Sequence, residues 1–263
     1  MRTCVITSLL VACGAPQAVN DSTAAPIVDS HVHLAYYPVA DALVAHGVKA
    51  VVDLAAPERT LGQPAPLAVI ASGPMLTRVG GYPLDSWGAD GYGIGCGDDP
   101  CVVAAVDRLV DHGARVIKIA LDGNGLAEPQ VRAAVRRAHE RGVKVAVHAL
   151  SDASTRLAAD AGADVLAHTP VEPLADATVA AWRGRAVIST LAAFGGRDTA
   201  IENLRRLRGA GVTVLYGTDL GNLRVDGPSV EEIALLHRAG LDDAAVNDAM
   251  SATPIAYWGF QLR

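Results

Sequence analysis

The chain has 263 residues, of which 51% are hydrophobic but only 4% aromatic. A chain of this length buries a core without a disulfide framework, and its Ala, Val, Leu and Ile content suits buried parallel strands covered by helices. The net charge of −6, with no run of Lys and Arg, excludes the basic face that a nucleic-acid partner needs.

Residues 1–13 carry a leader pattern: Arg2, an apolar stretch from Val5 to Ala12, and the closing tetrapeptide Leu10-Val11-Ala12-Cys13. The tetrapeptide resembles the lipobox of bacterial lipoproteins, which implies that Cys13 is lipidated; the bland alternative is an apolar segment that happens to end in cysteine. The stretch is shorter than the about 20 residues that a membrane span requires. Residues 14–25, rich in Ala, Ser, Asn and Pro, have the composition of a flexible tether. The expectation is an exported chain on a bacterial membrane, facing the periplasm or the outside and touching the membrane only through an N-terminal lipid.

From residue 26 to 263 apolar runs alternate with amphipathic ones. Candidate strands cover 27–34, 50–55, 67–75, 115–121, 144–150, 164–169, 186–191 and 213–218. Helical periodicity covers 102–112, 129–141, 152–161, 176–183, 199–210 and 230–239. Several helical runs end in glycine just before the next strand, as a left-handed C-cap requires. Eight strands joined by helices predict an α/β fold, an eight-stranded parallel (β/α) TIM barrel. The connection 77–100 is long and Gly-rich, and it follows the third strand, so it is expected to cover the active face. Arg78 and Tyr82 are candidates for substrate contact by that position. Cys96 and Cys101 in this region are either a disulfide or two free thiols, and export favours the disulfide.

The polar residues set into these apolar runs carry the chemistry. His31 and His33 stand two apart on the first strand, so their side chains share a face with Cα atoms about 6.6 Å apart, within reach of one ion. Val28, Val32 and Leu34 are expected on the outward face. Lys118 interrupts the apolar run 115–121 on the inward side, where an unpaired ammonium is costly and burial favours the neutral amine. His148 and His168 close the next two runs. Asp219 follows the last strand, at the end where a barrel presents its site. Singly, each has a bland reading as a core histidine, a snorkelling lysine or a turn-forming aspartate. Their succession on consecutive strands makes the bland readings together hard to sustain. His46, His112, His139 and His237 fall in helical or loop patterns and are expected at the surface.

The order His-x-His, Lys, His, His, Asp over strands one, four, five, six and eight resembles the amidohydrolase superfamily, in its two-metal branch with a carbamylated lysine. Val116-Ile117-Lys118-Ile119 and Gly217-Thr218-Asp219 look most like imidazolonepropionase-related and prolidase-like members. The resemblance implies that His31, His33 and Asp219 hold one divalent ion, His148 and His168 another, and carbamylated Lys118 bridges them, with zinc the default metal. It implies hydrolysis of an amide-type C–N bond in a small molecule or dipeptide by a metal-bridging hydroxide, with Asp219 also catalytic as the proton carrier. Many such relatives add a small β-sandwich, which this sequence is expected to lack. Phosphotriesterase-like and lactonase-like enzymes also use a bridging lysine, so an ester substrate is the alternative. A non-catalytic metal- or solute-binding lipoprotein is the reading from outside enzymology.

Overall fold

The computed structural model describes residues 25–262. The leader, Cys13 and nearly all of the tether lie outside the described residues.

The first third of the described chain contains β1 (Ile27–Val32), α1 (Ala40–Ala45), β2 (Val48–Asp53), β3 (Ala68–Ala71), β4 (Met75–Arg78) and β5 (Gly93–Cys96). Strict alternation follows: α2 (Asp99–Asp111), β6 (Val116–Ala120), α3 (Glu128–Glu140), β7 (Lys144–His148), α4 (Asp152–Ala161), β8 (Val165–Leu166), α5 (Asp176–Ala181), β9 (Ala186–Ile188), α6 (Asp198–Gly209) and β10 (Thr213–Leu215). Three helices close the chain: α7 (Val230–Arg238), α8 (Asp243–Met250) and α9 (Ala252–Trp258). Among the described residues no helix is long and apolar enough to cross a membrane.

Local chemistry explains where helices begin and end. At α4 the Ser151 hydroxyl accepts from the Ser154 backbone and the Ser154 hydroxyl accepts from the Ser151 backbone, a reciprocal cap. The same helix stops at Gly162, whose φ of 90° is cheap only for glycine. At α2 the Asp98 carboxylate accepts from the Cys101 N–H at 2.9 Å. The Cys96–Cys101 disulfide then joins the end of β5 to the first turn of that helix, with Cα atoms 5.5 Å apart.

Every strand pair is parallel, but the ladders form two sheets, β1-β2-β3 and β10-β9-β8-β7-β6-β4-β5. This corrects the expectation of one eight-stranded ladder. The third expected strand, 67–75, is broken at Ser72-Gly73-Pro74, where Gly73 has φ 67° and Pro74 has no N–H to donate. Its first half pairs with β2, and the chain resumes as β4, which pairs with β6 and β5. Backbone hydrogen bonds outside the ladders link the sheets at both margins. Arg115 donates to Ala71 O at 3.0 Å on one side, and Ser30 to Tyr216 O at 2.9 Å on the other.

Alternate residues sort to two faces. Ile117, Ile119, Val145 and Val147 pack with Val106, Leu109, Val131 and Ala138 of the helices. Val52, Ile70, Val116, Ala146, Val165, Ile188 and Leu215 pack against one another instead, over Trp258 and Phe260. Val28 belongs to this second group, whereas Val32 packs with Leu43 and Val51. The two valines were expected on one face; an irregular register between Asp29 and Val32 turns them apart. All strands run the same way, so their C-terminal ends meet at one end of the molecule.

Candidate metal centre

At that end β1 presents His31, the residue just beyond it presents His33, and the turn after β10 presents Asp219. All three are buried, and one ligand atom from each lies within 4.8 Å of the others. The Asp219 Oδ1 is 3.0 Å from His33 Nε2 and 3.5 Å from His31 Nε2. Asp219 has φ 57°, a left-handed conformation that Asp and Asn tolerate better than most residues. Its N–H donates to His31 O at 2.9 Å, which fixes the turn against β1. Asp29 braces the same margin by accepting from His31 N, Thr218 N and the Thr218 hydroxyl at 3.1, 3.0 and 2.5 Å. Burial nonetheless pushes its carboxyl up to about 7.

Close approach of β1 to this turn needs Gly217. A Cβ there would lie 2.3 Å from Ile188 Cγ2 and 3.2 Å from both Cβ and N of His31. Gly217→Ala is expected to destabilise the chain by about 1–3 kcal/mol through overpacking. That lowers the melting temperature by about 2–4 °C per kcal/mol for a chain of this size. An unshifted thermal melt would contradict the close packing.

The imidazoles are oriented by second partners. His31 Nδ1 donates to Ala167 O at 2.8 Å and His33 Nδ1 to Ala55 O at 3.3 Å, since a carbonyl can only accept. His168 Nδ1 is 3.1 Å from the Thr190 hydroxyl. Each of these contacts leaves Nε2 free to face inward, the arrangement in which a histidine ligates a metal. The ring of His168 is 4.5 Å from that of His31 and 4.9 Å from that of His148. Burial, reinforced by Lys118, holds His31 well below the usual imidazole range and pushes His148 down to about 3. Burial, reinforced by His31, likewise depresses His168. Neutral imidazole is the ligating form.

Lys118, on β6, is fully buried, and its Nζ has no hydrogen-bond partner. Burial pushes its ammonium down to about 7, against the pull of Asp219. His31 Nε2 and His148 Nδ1 are also buried without partners. Such buried atoms are costly unless something not made of protein satisfies them. A donor set of imidazoles, a carboxylate and an amine fits divalent metal.

A cavity of 460 Å³ opens onto His148, His168 and Asp219. Its walls include Tyr82, whose ring is 4.7 Å from His148, and Trp87, whose ring is 5.2 Å from His33. The Trp87 indole N–H donates to the Tyr82 hydroxyl at 3.0 Å. Phe194 forms another wall, 5.0 Å from His168. Both Tyr82 and Trp87 lie in the long connection between β4 and β5. Arg78 does not line the cavity; it is exposed and donates to the Asn124 side chain at 3.2 Å. It sits at the C-terminal end of β4. His46, His112, His139 and His237 are all exposed.

Sequence reasoning missed Asn222, Phe194 and Glu232. Asn222 Nδ2 donates to both Asp219 oxygens at 3.1 and 3.2 Å, and its spacing three residues after Asp219 was the available signal. Phe194 is one of two phenylalanines in the chain, a rarity that marks it. Glu232, fully buried on α7, accepts from Ala192 N at 2.7 Å and so anchors the short turn Ala192–Phe194. Burial raises its carboxyl from 4.5 to about 7. The folded chain therefore keeps this proton up to about pH 7, while the unfolded chain releases it near 4.5. The associated stability is full below about pH 4.5 and lost as pH rises through about 7, roughly 3 kcal/mol in all. Glu232→Gln is expected to remove that slope. Denaturant titrations of both chains at acid and neutral pH check it, and equal slopes would contradict the assignment.

No family model matches the chain, and neither does any curated protein. Solved structures do share its fold. An amidohydrolase superposes with TM-score 0.73 at 21% identity, covering 90% of this chain and 75% of that one. A Xaa-Pro dipeptidase with bound methionine in its active site gives 0.76 at 18%, covering 89% and 75%. The A. niger ochratoxinase gives 0.74 at 19%, covering 89% and 71%.

Proposed function

We propose that this chain is a metal-dependent hydrolase of the amidohydrolase superfamily that cleaves an amide-type bond in a small molecule. The observation that carries the reading is the convergence of His31, His33 and Asp219 beside the buried, unpartnered Lys118 amine. We read the two linked sheets as the wall of a (β/α) barrel with this site at its C-terminal end. The likeness to amidohydrolase and dipeptidase structures favours a C–N bond over an ester.

His31, His33 and Asp219 would hold one ion and His148 and His168 a second, with Lys118 between them as a carbamate. The carbamate forms when the neutral amine adds to carbon dioxide and loses a proton, which converts the orphaned nitrogen into an anionic oxygen ligand. When bound, the ions supply Lewis acidity and the positive charge that makes water acidic near neutral pH. Asp219 accepts the proton of the attacking water at its carboxylate and delivers it to the departing nitrogen. Asn222 orients that carboxylate through its two contacts. Tyr82 and Trp87 cover the site and exclude bulk water. The Cys96–Cys101 disulfide is compatible with an oxidising compartment, where such bonds persist.

Metal analysis of the purified, metal-replete chain tests the centre, together with a screen of dipeptides, N-acyl amino acids, lactones and phosphotriesters. Two ions per chain and amide turnover are expected. One ion or fewer overturns the two-metal arrangement, and turnover confined to lactones or phosphotriesters overturns the amide assignment.

A further inference from the structure

Resting on the hydrolase reading, we infer that the substrate carries an uncharged aromatic ring beside the scissile bond, seated among Trp87, Tyr82 and Phe194. The chain is poor in aromatic residues, yet these three stand in the wall of one cavity, each against a different histidine of the centre. Leu150 extends the apolar surface, Ser86 is neutral, and Asn222, whose amide is held on Asp219, is neutral too. Among the described residues that line this cavity none is Arg or Lys. Arg78, at the end of β4 and the basic residue nearest in sequence to Tyr82, donates to Asn124 and does not line the cavity.

Two physical consequences follow. A ring entering the cavity meets aromatic edges and faces, which favours it over an alkyl chain of similar size. A substrate carboxylate lying away from the centre meets no guanidinium or ammonium, so its lost hydration is not replaced. The cavity thus selects against N-acyl amino acids and dipeptides with a free carboxylate. The Tyr82 hydroxyl accepts from Trp87 and keeps its own proton, leaving one neutral donor in the wall for a substrate carbonyl.

The test compares three amides on the zinc-loaded full chain: N-benzoylglycinamide, N-benzoylglycine and N-butanoylglycinamide. Release of the acyl acid from N-benzoylglycinamide is expected to exceed that from the other two by about tenfold or more in kcat/KM. Trp87→Ala, and separately Phe194→Leu, should erase most of the preference for benzoyl over butanoyl, read as the ratio of the two kcat/KM values within each variant. Equal rates on N-benzoylglycine and its amide overturn the neutral-substrate inference and leave the hydrolase reading standing. An equal fall on both acyl groups in the two variants overturns the ring subsite. If none of the three turns over, the hydrolase reading loses its support, and calorimetry still decides the cavity. Tighter binding of N-benzoylglycinamide than of the other two, weakened by Trp87→Ala, upholds the subsite; equal binding of all three overturns it.

Discussion

Stripped of metal, Lys118→Met is expected to fold at least as stably as the metal-free wild type; supplied with metal, it is expected to lose about a thousandfold in turnover. The stability half follows from the buried amine that nothing in the protein satisfies. Replacing an unpartnered buried polar group with an apolar one of similar length removes a desolvation cost and leaves no new orphan. The activity half follows from the bridging role proposed for Lys118, whose strand pairs with the one that ends in His148 and whose amine feels the charge of Asp219. Charge stabilisation of about 4 kcal/mol, within the several kcal/mol that a metal centre supplies, corresponds to about a thousandfold in rate. Metal content should fall from two ions to one or none. Thermal melts of the metal-free proteins, with metal analysis and turnover of the metal-replete ones, check all three. A variant that melts lower but keeps its ions and rate would make Lys118 a structural residue.

Asp219→Asn is expected to leave the fold intact and lower turnover by about a hundred- to ten-thousandfold, the range for losing a positioned proton acceptor. Asparagine is the right probe because residue 219 has positive φ, which Asn tolerates and a β-branched residue would not. Asn also keeps the size of the side chain beside Asn222, so a loss of rate cannot be assigned to backbone strain. Stopped-flow turnover with circular dichroism of the variant is the check. Near-full turnover with metal still bound would remove Asp219 from the proton path.

The sequence made the site more legible than the fold around it. The run Lys144 to His148 and the one after Asp164 show their histidines because the surrounding residues are uniformly apolar. Helix α4 was visible to its ends because Ser151 and Gly162 mark them chemically. What was hidden had no periodic signal. The break at Gly73-Pro74 lies inside a run that looks like one strand, and only pairing partners on different sheets reveal two. Strand β5 is built from Gly-Ile-Gly-Cys, which lacks the β-branched density that marks a strand. Helix α1 is too short, at six residues, to show a period. The irregularity in β1 reversed Val28 because one extra residue flips every side chain beyond it. Phe194 and Trp87 reach the cavity through connections whose course depends on contacts far away in sequence.

The margin where Ser30 meets Tyr216 and His31 meets Asp219 joins the first strand to the segment after the last. A chain leaving the ribosome carries His31 and His33 from early in synthesis, but their carboxylate partner comes only near the end. Contacts between such distant segments close the largest loop and carry its entropic cost, so they form late. A truncated or half-folded product therefore holds two histidines without the aspartate, and cannot assemble the proposed site. Hydrolytic competence becomes a property of the finished molecule alone.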